Sequence, residues 1–158
     1  MKPKLVALLG TSPGTVHTTL CKLQEHGIDV DEVVIYATLT HTAAQAQWIL
    51  WYCPCPKTGK PPLPPPRTPR ILHLGFNDIH GPQELDQLRK ALAQDLDHAT
   101  ILDVTGGRKA MAIAAALEAY RRGATVVATI IPQEEYNRIQ QAKNPCEKTA
   151  KQAHLLTL

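Results

Sequence analysis

The chain has no apolar run near the ~18 residues that a membrane-spanning helix needs, and only five apolar residues follow Met1-Lys2-Pro3-Lys4, too few for a signal sequence. A soluble, cytoplasmic protein without membrane contact is expected. Charge of one sign is equally scarce: 17 basic residues against 14 acidic ones leave a net charge of +3. That does not mark a nucleic-acid binder, so no duplex DNA partner is expected and an anionic ligand must be held by a local site. The four cysteines, Cys21, Cys53, Cys55 and Cys146, do not form two Cys-x-x-Cys knuckles. Cys53-Pro54-Cys55 could join His41 or His73 around zinc, but there is one close pair only and its proline stiffens it. Reduced thiols and no metal are expected. Also missing are the Gly-x-Gly-x-x-Gly fingerprint and the Walker P-loop, since Gly10-Thr11-Ser12-Pro13-Gly14 fits neither. No carboxylate cluster suggests magnesium, because Asp103 falls inside a predicted strand and Asp78 stands alone.

What is present fits one globular domain over residues 1–158, with 44% hydrophobic residues. Lys4 to Leu9 reads as a strand buried on both faces, ending in the turn Gly10–Gly14. A helix carrying Val16, Leu20 and Leu23 on one stripe then runs to Gly27. Val33 to Thr38 predicts a second strand, and His41 to Tyr52 a helix with Ala43, Ala44, Ile49 and Leu50 as apolar surface. Eight of the 13 prolines lie between Pro54 and Pro69, which predicts an extended, solvated insertion over 54–69. Arg70 to Leu74 is the third strand, and Pro82 to Leu96 a helix with Leu85, Leu88, Leu92 and Leu96 as its buried stripe. Ile101 to Val104 is the fourth strand. It turns through Thr105-Gly106-Gly107 into an alanine-rich helix that begins near Arg108. Thr125 to Ile131 is the fifth strand. The extension 133–158 is polar and ambiguous, with an edge strand or a partner contact possible over Gln152 to Leu158.

Alternating strands and helices imply an α/β, Rossmann-like fold with a mainly parallel sheet. In the order 3-2-1-4-5 the first and fourth strands are neighbours, and their glycine-bearing turns open into one crevice. There the helix N–H groups lack intrahelical acceptors, and glycines permit close approach of a ligand. Arg108 and Lys109 add two cations at a helix end that normally prefers acidic side chains, a mismatch costing up to about 1 kcal/mol unless an anion is bound. The hydroxyls of Thr11, Ser12 and Thr105 complete an inventory suited to several phosphates.

Leu8-Leu9-Gly10-Thr11-Ser12-Pro13-Gly14 together with Asp103-Val104-Thr105-Gly106-Gly107-Arg108-Lys109 resembles the CRISPR-associated Rossmann fold (CARF) family of type III CRISPR systems. The resemblance extends to about Ile131. It implies a homodimer around a cyclic oligoadenylate, most often cyclic tetra-adenylate. It also implies, for a chain with no room for a fused effector, a ring nuclease that opens this messenger without metal or other cofactor. The Arg67/His73 spacing imitates the HEPN ribonuclease signature but enters a strand, where that signature does not belong. By the same resemblance Ser12 and Lys109 are the catalytic candidates. Gly10, Thr11, Pro13, Gly14, Asn77, Asp78, Thr105, Gly106, Gly107 and Arg108 are the substrate-binding ones. Plainer roles stay open: Ser12 as a helix cap, Lys109 as a solvated helix residue, Thr105 as a local backbone partner, and His17 as a core or surface histidine instead of a general base. Two other functions also stay open, a non-catalytic sensor or sponge for the ring and an enzyme for an unrelated phosphorylated metabolite.

Overall fold

The structure is a computed structural model describing residues 2–63 and 67–158. Six strands form one sheet in the order β3-β2-β1-β4-β5-β6: β1 (Lys4–Leu9), β2 (Glu32–Ala37), β3 (Arg70–His73), β4 (Thr100–Asp103), β5 (Thr125–Ile130) and β6 (His154–Thr157). The first five are parallel and β6 runs antiparallel to β5. The helices are α1 (Thr15–Glu25), α2 (Thr40–Tyr52), α3 (Pro82–Asp95), α4 (Lys109–Arg121) and α5 (Gln133–Gln141), with a 3₁₀ turn over Pro145–Lys148.

Alternation along β1 explains the layering. Leu5, Ala7 and Leu9 point into a cluster with α1 and α2 residues, among them Val16, Leu20 and Leu50. Val6 and Leu8 point the other way, onto Leu88 and Leu92 of α3 and Met111 and Ala115 of α4. Successive side chains of a strand face opposite sides, so an unbroken apolar run requires helices on both. The small alanines let α4 pack tightly: Ala115 and Ala119 are fully buried. On α2 the sequence reading needs a correction, since Ala46 and not Ala44 completes the buried side.

The thiol expectation is overturned. Cys21 is bonded to Cys55 and Cys53 to Cys146, leaving no free cysteine among the described residues. The cause is tertiary: the proline-rich segment, although mostly exposed as expected, folds back along α1 and buries Cys55, Pro62, Leu63 and Pro69. Leu63 is buried in the core, Thr58 Oγ1 donates to Gln24 Oε1 (2.6 Å), and Lys57 pairs with Glu25 (3.0 Å). This brings Cys55 to α1 and Cys53 to the 3₁₀ turn. The portion of that reading falling on Pro64–Pro66 lies outside the described residues. Beyond β5 the polar stretch is stitched by two side chains. Glu135 Oε2 accepts the Lys151 and Gln152 N–H groups (3.0 and 2.7 Å), and Arg138 donates to the Glu147 and Thr149 carbonyls (2.9 and 3.1 Å).

Candidate functional site

The register of β1 on β4 pairs Ala7 with Asp103, so β4 turns two residues before β1 ends and the two turns lie side by side. A β-carbon on Gly10 would stand 2.7 Å from the Gly106 carbonyl oxygen, and one on Gly106 would stand 2.4 Å from that of Leu8. At Gly107 it would meet the Leu8 side chain at 2.6 Å. None of these glycines has positive φ. Their bareness lets the turns meet each other, a contact the sequence reading had assigned to the ligand.

Above this contact lies a crevice with two lobes that share Thr11 and Gly106. The first, about 380 Å³, is lined by Gly10, Thr11, Thr38, Leu39, Asn77, Gly106, Gly107 and Arg108. The second, about 290 Å³, is lined by Thr11, Ser12, Thr15, Thr105, Gly106, Thr129, Ile131 and Tyr136. The fold thus unites eight of the expected residues: Gly10, Thr11, Ser12, Asn77, Thr105, Gly106, Gly107 and Arg108. Pro13, Gly14, Asp78 and Lys109 do not line either lobe. Pro13 is buried, and Gly14 is covered by the Lys148 carbonyl, 2.1 Å from where a β-carbon would be. Asp78 Oδ1 accepts the Ile79 N–H (2.8 Å), whereas Lys109 is exposed as the first residue of α4. Sequence reasoning missed Thr38 and Thr129, although both follow from the rule that ligands gather at the C-terminal ends of parallel strands. Tyr136 had no such signal, because α5 was not legible.

The crevice is electropositive by construction. Gly14 precedes α1 and Arg108 precedes α4; neither helix has an acidic residue in its first turn or a side chain capping it. At α4 the first N–H groups therefore keep their donor capacity, whereas at α1 the Thr15 N–H is donated to the Ser12 carbonyl (3.4 Å); both helices begin beside the crevice with the positive ends of their dipoles. Ser12 is not a helix cap, since its carbonyl, not its hydroxyl, accepts Thr15 N–H. Arg108 and Lys109 have no ion-pair partner among the described residues, which leaves their charge for a ligand.

Thr105 has local partners: its hydroxyl donates to Asp103 Oδ1 (2.5 Å) and accepts the Thr129 N–H (2.8 Å). Burial pushes the Asp103 carboxyl up, against the lowering effect of the Thr105 bonds. His17 is a core residue. Its Nε2–H donates to the Cys53 carbonyl (2.7 Å) and its Nδ1 accepts from the Thr149 hydroxyl (2.7 Å). Desolvation pushes its pKa down to about 4, so it stays neutral and far from a base's task. His17, Cys21 and Cys55 form a buried cluster of metal-ligating type, but the two sulfurs are bonded to each other and both imidazole nitrogens are engaged, so it lacks donors for zinc. His41 and His73 are exposed and take no part. At the crevice itself no carboxylate pair faces the space described.

No protein-family model matches the sequence. The CRISPR system ring nuclease SSO2081 of Saccharolobus solfataricus is 36% identical over 138 residues, which cover 86% of this chain and 75% of that protein. Among solved structures, a provisionally assigned UDP-N-acetylglucosamine 2-epimerase from Listeria monocytogenes aligns with a TM-score of 0.49 at 15% identity, over 93% of this chain and 36% of that one. With more than a third of the residues shared along most of both lengths, the chain belongs to the family of the CRISPR system ring nuclease.

Proposed function

We propose that the protein is a metal-independent ring nuclease that binds cyclic oligoadenylate, in the first place cyclic tetra-adenylate, and opens it to a linear product ending in a 2′,3′-cyclic phosphate. This would switch off type III CRISPR signalling. The observation that carries the reading is the single crevice formed by the two strand-end turns, in which two helix N-termini and Arg108 surround a space lined by Thr11 and Ser12. The relative's name, a CRISPR system ring nuclease, supports the cyclic substrate class.

The chemistry asks little of the protein. A ribose 2′-hydroxyl attacks its own 3′-phosphate, the 5′-oxygen departs and takes up a proton, and no water is consumed. The protein must place the hydroxyl in line and spread the phosphorane's charge; orientation alone can supply about 7–11 kcal/mol. In this reading Ser12 holds the 2′-hydroxyl or the phosphate by a hydrogen bond. Arg108 clamps a neighbouring phosphate, and Lys109 at the start of α4 stabilises the transition-state charge. The donor set suits a reaction without metal, because Asp103 is bound beneath the floor and Asp78 to its own loop.

The same reading includes a second copy of the chain. A ring of four identical nucleotides has two-fold symmetry. On α4, beginning at Lys109, the side chains of Ile113, Leu117 and Tyr120 stand exposed on one stripe, Tyr120 at 85%. Pairing through that stripe sets two crevices beside one axis.

Incubation with labelled cyclic tetra-adenylate in EDTA tests the proposal. Wild-type protein is expected to give linear product, Lys109→Ala to slow it roughly 100- to 1,000-fold and Ser12→Ala roughly 10- to 100-fold. Intact ring held tightly would make the protein a sensor or sponge, and saturation by a mononucleotide without effect of the ring would point to another phosphorylated substrate.

A further inference from the structure

Asp103 ends β4 with its side chain wholly buried on the α1 side of the sheet, the side to which Ile101 also points. An apolar residue would fill that place at no electrostatic cost. Instead Oδ1 accepts both the N–H (3.0 Å) and the hydroxyl (2.5 Å) of Thr105, while Oδ2 has no partner. An unsatisfied buried oxygen is expensive, and such groups concentrate where function requires them. The Thr19 hydroxyl also acts on this carboxyl, lowering it against the effect of burial, and shares a hydrogen bond with Thr129 Oγ1 (2.8 Å) in which either hydroxyl can donate.

The bonds continue from there. The Thr105 hydroxyl, its proton turned to Asp103, offers a lone pair to the Thr129 N–H (2.8 Å), and the Thr129 hydroxyl meets Thr19 of α1. One chain of contacts therefore ties the β4 turn, which leads to Arg108, to the end of β5, which carries Thr129, and to α1, which follows the Thr11–Ser12 turn. Thr105 and Thr129 both line the crevice, whereas Asp103 does not.

We propose that Asp103 is a positioning residue for ring opening: through Thr105 it fixes the Gly106–Arg108 turn against β5 and α1, and so sets the distance between the donors on the two sides of the crevice. This rests on the ring-nuclease reading above. Losing that anchor shifts the turn without removing any group that touches substrate, and a displacement near 1 Å costs about 100-fold in rate.

The test compares full-length Asp103→Ala and Asp103→Asn with wild type, in single-turnover cleavage of cyclic tetra-adenylate, ring binding and amide exchange. Asp103→Ala is expected to cut the cleavage rate roughly 10- to 100-fold while ring affinity stays within about 3-fold, and to speed exchange at the Thr105 and Thr129 amides. Asp103→Asn keeps an oxygen for both Thr105 bonds and is expected to retain most of the rate and the slow exchange. If Asp103→Ala does not fold, Thr105→Val against Thr105→Ser asks the same question of the next link, with the rate lost in the first and kept in the second. Folded Asp103→Ala cleaving at the wild-type rate, or Asp103→Asn as slow as Asp103→Ala, overturns the proposal. If wild-type protein leaves the ring intact, the ring-nuclease reading fails; exchange at Thr105 and Thr129 unchanged by Asp103→Ala would then overturn the anchoring role as well.

Discussion

A β-carbon at Gly106 would stand 2.4 Å from a backbone oxygen, and backbone cannot rotate away as a side chain can. Gly106→Ala is expected to cost roughly 1–3 kcal/mol, the range for overpacking, measured by urea unfolding, and to weaken ring binding by prising the turns apart. His17 offers a second prediction. It binds a proton near pH 6.5 when unfolded but only at about pH 4 when folded, owing to desolvation. Its contribution is therefore fully present above pH 6.5 and declines as the pH falls toward 4, by about 3 kcal/mol in all. A His17→Gln variant, less stable at neutral pH, should show a flatter decline in that window. Residue identity alone announced the paired turns, because two glycines followed by Arg108-Lys109 at a helix start conflict with helix electrostatics. It did not announce that the Thr105 hydroxyl accepts the Thr129 N–H, which depends on the distance between β4 and β5.

At the scale of elements, the five parallel strands and four long helices were legible because their apolar periods are distinct and their ends carry Gly or Pro. The polar extension was legible only at its end, where the edge-strand reading of Gln152 to Leu158 matches β6; α5 buries Glu135 and Ile139 only, and three of the four β6 residues are exposed. Its attachment comes from Glu135 and Arg138, whose mutual pairing and backbone contacts no local pattern reveals. Arg138→Ala should destabilise by about 1–3 kcal/mol and speed hydrogen exchange over 145–152. The disulfides were hidden for the same reason, since their partners are 34 and 93 residues apart. Loop-closure entropy assigns them about 4 and about 5 kcal/mol respectively. Removal of Cys53 and Cys146 as a pair should thus lower the unfolding temperature more than removal of Cys21 and Cys55, read by calorimetry without reductant.

At the scale of the whole molecule, the two disulfides cross-link α1, the proline-rich segment and the 3₁₀ turn into one unit. The +3 net charge gives no general attraction for polyanions. Affinity for a phosphate ring must therefore come from the crevice and, in this account, from two crevices brought together along α4. Tyr120→Glu, which places a charge on that exposed stripe, is expected to shift the protein toward monomer in sedimentation and to weaken ring binding while leaving the unfolding temperature of each chain nearly unchanged. The central claim is that the ring supplies its own nucleophile to a site that only orients it and neutralises charge. Its most direct test is the mass of the first product formed from cyclic tetra-adenylate in EDTA. The account predicts a linear species of the same mass as the ring, since transesterification rearranges atoms without adding any. A first product heavier by one water, or a ring recovered unopened, would contradict it.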